Sequence, residues 1–110
     1  MNIAILAGGI FLASATMANP VHNQIADASE AGRLRFFANV LNTSGDSCPS
    51  ASRTFFQGKD KTGAVYWNIQ CSNGKAYQMQ IANNATGSSR SLDCELIKKM
   101  NAGICFKPFQ

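Results

Sequence analysis

Residues 65–81 of the chain read VYWNIQCSNGKAYQMQI. Apolar and polar side chains alternate on both sides of the central SNG, and this period of two predicts two β-strands, over residues 64–71 and 76–82. One face of the pair would be apolar, with Val65, Trp67, Ile69, Cys71, Tyr77, Met79 and Ile81. The other face would be polar, with Tyr66, Asn68, Gln70, Gln78 and Gln80. The stretch therefore predicts a two-faced β-hairpin.

The loop between the two strands sets their register. A two-residue turn would place Trp67 opposite Gln80 and so mix apolar with polar side chains on one face. A three-residue loop over residues 72–74 places Trp67 opposite Met79. It also puts Gly74 at the loop position that requires a left-handed backbone. The sequence therefore predicts the three-residue loop.

The chain before the hairpin predicts a helix and one more strand. Residues 53–57 have the composition of a strand. Further upstream, Asp27 and Glu30 fit a capping box that opens a helix, and apolar residues recur at helical spacing as far as Leu41. Residues 19–26 are predicted to be an extended lead.

The chain after the hairpin predicts an exposed loop and a short helix. Residues 83–90 are rich in Asn, Gly and Ser, which favours a loop. Asp93 fits the N-cap of a helix whose apolar stripe includes Cys94 and Ile97. The predicted fold class is α+β. It is a small single domain with an N-terminal helix, a three-stranded antiparallel β-meander, a short C-terminal helix packed on one sheet face, and two disulfides.

Residues 1–18 predict a signal peptide. Residues 3–17 are almost all apolar or small, and the run is shorter than the ~20 residues that a membrane-spanning helix needs. Small residues at its end favour cleavage after Ala18, which leaves residues 19–110 as one small domain. The alternative is a retained N-terminal anchor, because no Lys or Arg precedes the apolar run.

Four cysteines follow the predicted signal peptide, and in a small exported chain they predict two disulfides. The preferred pairing is Cys48–Cys71 with Cys94–Cys105, since the start of the first strand and the end of the second meet in an antiparallel pair. The rival pairing is Cys71–Cys94 with Cys48–Cys105. A zinc site is the further alternative, but the chain lacks the close Cys-x-x-Cys pair that such sites usually have.

The net charge of the chain and the residue types available for catalysis exclude several classes of function. Ten Lys and Arg against six Asp and Glu give a net charge of +4, but the cations are scattered rather than gathered in a nucleic-acid-binding stripe. His22, the only histidine, falls in the predicted lead. Asp93 and Glu95 are two residues apart and would point in different directions on a helix. The sequence therefore predicts no catalytic residues, no metal, no cofactor and no nucleic-acid partner.

The polar sheet face is the candidate site for a partner protein. It consists of Tyr66, Asn68, Gln70, Gln78 and Gln80, and a tyrosine-and-amide surface adapts well to hydrogen bonding. We expect a small exported, disulfide-stabilised binding or accessory protein that is not an enzyme and is periplasmic or secreted. One alternative is a membrane-attached subunit that keeps residues 1–18, the only case in which membrane contact is expected. Another is a small secreted hydrolase or inhibitor.

Overall fold

The computed structural model describes residues 19–109, and the predicted signal peptide over residues 1–18 lies outside them. The elements are α1 (Pro20–Asp27), α2 (Glu30–Thr43), β1 (Ala51–Lys59), β2 (Val65–Cys71), β3 (Ala76–Ile81), β4 (Ser89–Asp93) and α3 (Cys94–Lys99). The strands form one antiparallel sheet in the order β1-β2-β3-β4. The predicted α+β class is confirmed.

The hairpin of β2 and β3 has the predicted register. Trp67 pairs with Met79, and Ile69 pairs with Tyr77. Gly74 has a φ of 88°, the left-handed conformation that the three-residue loop requires. Keeping one face apolar therefore decided the register.

The sheet has one strand more than the sequence predicted. Strand β4 begins at Ser89, inside the predicted loop over residues 83–90, and pairs antiparallel with β3 so that Arg90 lies opposite Gln80. Leu92 is the only apolar residue of this strand. An edge strand needs little apolar pattern, because its backbone hydrogen bonds to a neighbour that is already in place.

The predicted extended lead is instead helix α1. Asn19 caps it, since its side-chain Oδ1 accepts a hydrogen bond from the backbone N–H of His22 at 3.1 Å, and Pro20 occupies the first turn. The side-chain Nδ2 of Asn19 also donates to the carbonyl oxygens of Gly63 at 3.2 Å and Ile81 at 3.1 Å. Asn19 is buried, so the start of α1 is fixed to the sheet.

The N-cap of α2 is Ser29, not the predicted Asp27, which is the last residue of α1. The Ser29 Oγ accepts a hydrogen bond from the backbone N–H of Gly32 at 3.1 Å. The Glu30 carboxylate accepts a bond from the Thr54 hydroxyl at 3.0 Å instead of reaching back to the cap. This bond joins the first turn of α2 to β1.

Arg33 joins α1 to α2. Its Nη1 donates to the carbonyl oxygens of Ile25 at 3.3 Å, Ala26 at 3.1 Å and Ala28 at 2.7 Å, at the point where α1 ends. Its Nη2 forms an ion pair with Glu30 at 3.0 Å. A cation at this position also interacts favourably with the negative end of the α1 dipole.

The main core lies between the two N-terminal helices and one face of the sheet. Phe37 and Leu41 of α2 are fully buried against it. The same cluster contains Ile25, Cys48, Val65, Trp67, Ile69, Cys71, Tyr77, Met79 and Ile81. The sheet residues of this cluster belong to the face that the sequence predicted to be apolar, so burial of that face drives the packing of α2.

Both disulfides follow the pairing preferred from the sequence. Cys48 is joined to Cys71, and Cys94 is joined to Cys105. No cysteine among residues 19–109 is free. The rival pairing and the four-cysteine zinc site are therefore both wrong for this structure.

His22 lies against the aromatic part of the core rather than in the predicted extended lead. The indole Nε1–H of Trp67 donates to the His22 Nδ1 at 3.1 Å, and the Phe56 ring centroid is 4.8 Å from the imidazole. Burial lowers the pKa of His22 below its ordinary value, and the Lys59 ammonium lowers it further. A protonated Nδ1 could not accept the Trp67 bond, so the fold favours neutral His22.

The free energy of unfolding is expected to decrease when the pH falls below about 6.5, the ordinary pKa of histidine. The pKa of His22 is lowered in the fold, so the unfolded chain takes up the proton first, and stability is lost between pH 6.5 and the lowered pKa. Urea unfolding followed by the fluorescence of Trp67, the only tryptophan, measures this change. His22→Gln should flatten the curve in that interval; an unchanged slope would contradict the assignment.

Candidate functional site

The predicted partner-binding residues lie on the sheet face opposite α2, in three rows that cross the strands. In order, the rows are Tyr66–Gln80–Arg90, Asn68–Gln78–Leu92 and Gln70–Ala76. Residues paired directly across antiparallel strands project to the same side, so each row is a strip of adjacent side chains. The strand alternation thus brings all five predicted residues together on one face.

The last described residues, 104–109, cross this face as a C-terminal tail. The backbone N–H of Phe106 donates to the Asn68 Oδ1 at 2.7 Å. The side-chain Nε2 of Gln57 donates to the carbonyl oxygens of Ile104 at 2.9 Å and Lys107 at 3.1 Å. Asn68 has an exposed fraction of 0 %, so the middle of the predicted face is covered by the chain itself.

Gln57 links the tail to the sheet through an amide network. Its Oε1 accepts hydrogen bonds from the Asn68 Nδ2 at 3.1 Å and the Gln78 Nε2 at 2.7 Å. The β1–β2 register shifts between Phe56 and Gly58, so Gln57 is the extra residue of a β-bulge, and it is buried. Gln57 is not among the residues predicted from the sequence, although the Gln57–Gly58 pair at a strand end is consistent with a bulge.

The tail ends against Gly58 and Tyr66. The rings of Tyr66 and Phe109 meet edge to face, with centroids 5.1 Å apart, and the Phe109 N–H donates to the carbonyl oxygen of Gln57 in the bulge at 3.1 Å. A Cβ on Gly58 would lie 2.6 Å from the Phe109 Cδ2. Gly58 is therefore required for the tail to approach this closely.

Gly58→Ala is expected to displace Phe109 and to destabilise the fold by about 1–3 kcal/mol more than Gly74→Ala does, because only the first creates a steric clash. Both glycines have positive φ, 152° at Gly58 and 88° at Gly74, so both variants carry backbone strain, but nothing lies within 4 Å of a Cβ at Gly74. Thermal unfolding measures the difference, and hydrogen exchange at the Phe109 amide reports the displacement. Equal losses in the two variants would contradict the clash.

The Tyr66–Gln80–Arg90 row lies at the end of the face where the tail reaches Phe109, and Tyr66 and Gln80 are half-buried. The Tyr66 hydroxyl donates to the Asp60 Oδ2 at 2.8 Å; burial raises the pKa of Tyr66, and the bond to Asp60 raises it further. The Arg90 Nε donates to the Gln80 Oε1 at 2.9 Å. Arg90 is exposed, and Phe109 beside Tyr66 has an exposed fraction of 44 %. The row and Phe109 together form the "Tyr66 row surface", an aromatic and cationic strip in fixed conformations.

A groove of about 350 Å³ lies at the Gln70 end of the face, lined in part by Lys75, Asp93, Glu95 and Lys98. The backbone N–H of Glu95 donates to Asp93 at 2.8 Å and lowers the pKa of its carboxyl, and Lys75 Nζ, 3.4 Å away, lowers it further. Asp93 is therefore held as a carboxylate, which suits capping and charge pairing rather than proton donation.

His22 is far from this groove in the fold, because it packs on Trp67, whose side chain belongs to the core face. The structure thus does not bring His22 together with Asp93 and Glu95. Among residues 19–109, no group of three or more His, Cys, Asp or Glu side chains is placed to hold a metal ion.

Comparisons with protein-family models, curated protein sequences and solved structures find no match for the chain. In the part of the chain that the structure describes, no helix is long and apolar enough to cross a membrane.

Proposed function

We propose that this chain is a small exported, disulfide-stabilised binding protein that acts through protein–protein contacts in the periplasm or outside the cell. Two disulfides in so small a domain favour an oxidising compartment. The observation that carries the binding proposal is the Tyr66 row surface, where the exposed Phe109 ring and Arg90 guanidinium lie on the sheet beside the half-buried Tyr66 ring.

The composition of this surface favours a protein partner. Tyrosine, phenylalanine and arginine are enriched in protein interfaces, and tyrosine and arginine are common among the residues that dominate binding energy. Their conformations are already fixed, since Tyr66 bonds to Asp60, Arg90 bonds to Gln80, and the backbone of Phe109 bonds to β1. Binding would then cost little additional side-chain entropy.

The test is affinity capture from the native source with the wild-type protein and an Arg90→Asp/Phe109→Ser variant. A partner that depends on the Tyr66 row surface should bind the variant at least tenfold more weakly, as loss of two central interface residues implies. Lys61→Glu, an exposed change in the β1–β2 turn, is the matched control. Binding must then be reproduced with the purified pair, and a partner that binds wild type and variant equally would refute the assignment.

The mature N-terminus tests the export proposal separately. Cleavage after Ala18 gives a chain that starts at Asn19, the residue whose side chain caps α1. Intact-mass measurement on protein from its natural location decides this. A chain that keeps residues 1–18 would instead favour the membrane-attached subunit.

A further inference from the structure

A patch of exposed aliphatic side chains surrounds α3. Among the described residues, the large aliphatic side chains that are markedly exposed are Leu92, Leu96, Met100 and Ile104, with exposed fractions of 41, 46, 54 and 54 %. All four come from one short stretch of chain, although the core of the domain is built elsewhere. A concentration of apolar surface of this kind marks an interaction site.

These side chains lie on α3 and on the chain segments directly before and after it. Leu96 and Met100 are four residues apart on α3 and its C-cap, so they share a helix face. Leu92 lies at the end of β4, directly before the N-cap of α3. The Cys94–Cys105 disulfide, with a Cα–Cα distance of 5.9 Å, holds Ile104 beside the first turn of the helix, where it lines the groove with Glu95 and Lys98. We name these four residues the aliphatic patch.

Lysines border the aliphatic patch. Lys98 and Lys99 occupy the last turn of α3, and Lys107 lies three residues after Ile104; all three are exposed. Nearby Asp93 is already paired with Lys75. Glu95 on α3 is also exposed, so these three lysines and Glu95 carry a net charge of +2 (three minus one), and the border is predominantly cationic and fits an anionic partner.

We propose that the aliphatic patch binds the surface of an anionic lipid bilayer. Leucine, methionine and isoleucine ringed by lysines match the chemistry of interfacial membrane binding, in which apolar side chains enter the headgroup region and lysines attract acidic lipids. Protein interfaces are instead depleted in lysine, and leucine is uncommon among their energetically dominant residues. The patch therefore differs from the Tyr66 row surface, and membrane contact through it requires neither residues 1–18 nor a protein partner.

Co-sedimentation of the full chain with lipid vesicles tests this proposal. Vesicles of phosphatidylcholine mixed with phosphatidylglycerol should bind the protein, and phosphatidylcholine vesicles should bind it much more weakly. Leu96→Asp with Met100→Asp should lower binding at least tenfold, and Lys98→Ala or Lys99→Ala about fivefold each. Leu96→Ile and Lys61→Ala should leave it unchanged.

A second measurement locates the contact. In Leu96→Trp, brominated phosphatidylglycerol should quench the new tryptophan, whereas Trp67, only 5 % exposed and in the main core, should not respond. Three results would overturn the proposal: no binding to anionic vesicles, binding that the double aspartate variant leaves intact, or loss of a protein partner in that variant without vesicle binding. Arg90→Lys, which removes the guanidinium without changing the net charge or the tail, should bind vesicles normally, so the two surfaces can fail independently.

Discussion

Replacing both Cys48 and Cys71 with alanine is expected to lower the free energy of unfolding by about 4 kcal/mol. The bridge closes a loop with a sequence separation of 23, and the loss of such a cross-link costs about 3 kcal/mol through the entropy of the unfolded chain. Both cysteines are also buried in the main core, so removal of the sulfurs leaves unfilled space that adds about 1 kcal/mol. For a domain of this size the melting temperature should fall by about 15 °C or more.

The Cys94→Ala/Cys105→Ala variant is the matched comparison. Its bridge has a sequence separation of 11, and both cysteines are half-buried rather than part of the main core. A smaller loss of about 2–3 kcal/mol is therefore expected. Thermal and urea unfolding of the two double variants decide the order, and an equal or larger loss for Cys94→Ala/Cys105→Ala would contradict the role assigned to Cys48–Cys71.

Local patterns were sufficient to predict the centre of the fold. The register of β2 against β3 depends only on keeping Trp67 and Met79 on one face and on the left-handed Gly74. That register, together with a preceding strand, brings Cys48 close to Cys71. The helix that packs on this face was equally visible, because a period of 3.6 in apolar residues requires no long-range information.

The elements that the sequence did not predict depend on contacts with distant parts of the chain. Strand β4 has little apolar alternation and forms because β3 offers a free edge. Helix α1 carried a readable signal, since Asn19 followed by Pro20 is a typical N-cap and first-turn pair. That signal was not used, because the stretch directly follows the predicted cleavage site and was interpreted as an extended lead.

The candidate site was likewise predictable only in part from local sequence patterns. Strand alternation correctly placed Asn68 and its neighbours on the face away from the core. It could not show that the tail covers Asn68, because the bond from the Phe106 N–H spans 38 residues of sequence. Gln57 was missed for a related reason, since only pairing with β2 shows that it is the extra residue of a bulge. The surface left for a partner is therefore decided by long-range contacts of the tail.

Gln57→Ala is expected to lower the free energy of unfolding by about 3 kcal/mol and to release the tail. The substitution removes the acceptor of the Asn68 Nδ2. Because Asn68 is fully buried, leaving its amide without this partner lowers the free energy of unfolding by about 1–3 kcal/mol on its own. It also removes the donor to the carbonyl oxygens of Ile104 and Lys107. Urea unfolding measures the loss, and faster hydrogen exchange at the Phe106 amide reports release of the tail.

Gln70→Ala is the control on the same face. The Gln70 amide donates only to the nearby carbonyl oxygens of Cys71 and Lys75, and the residue is half-buried, so a loss below about 0.5 kcal/mol is expected. Similar losses for the two variants would mean that the Gln57 network does not hold the tail. If the network does hold it, Gln57→Ala should also weaken partner binding, because Phe109 would no longer be fixed beside Tyr66. Stability and binding would then depend on the same buried amide.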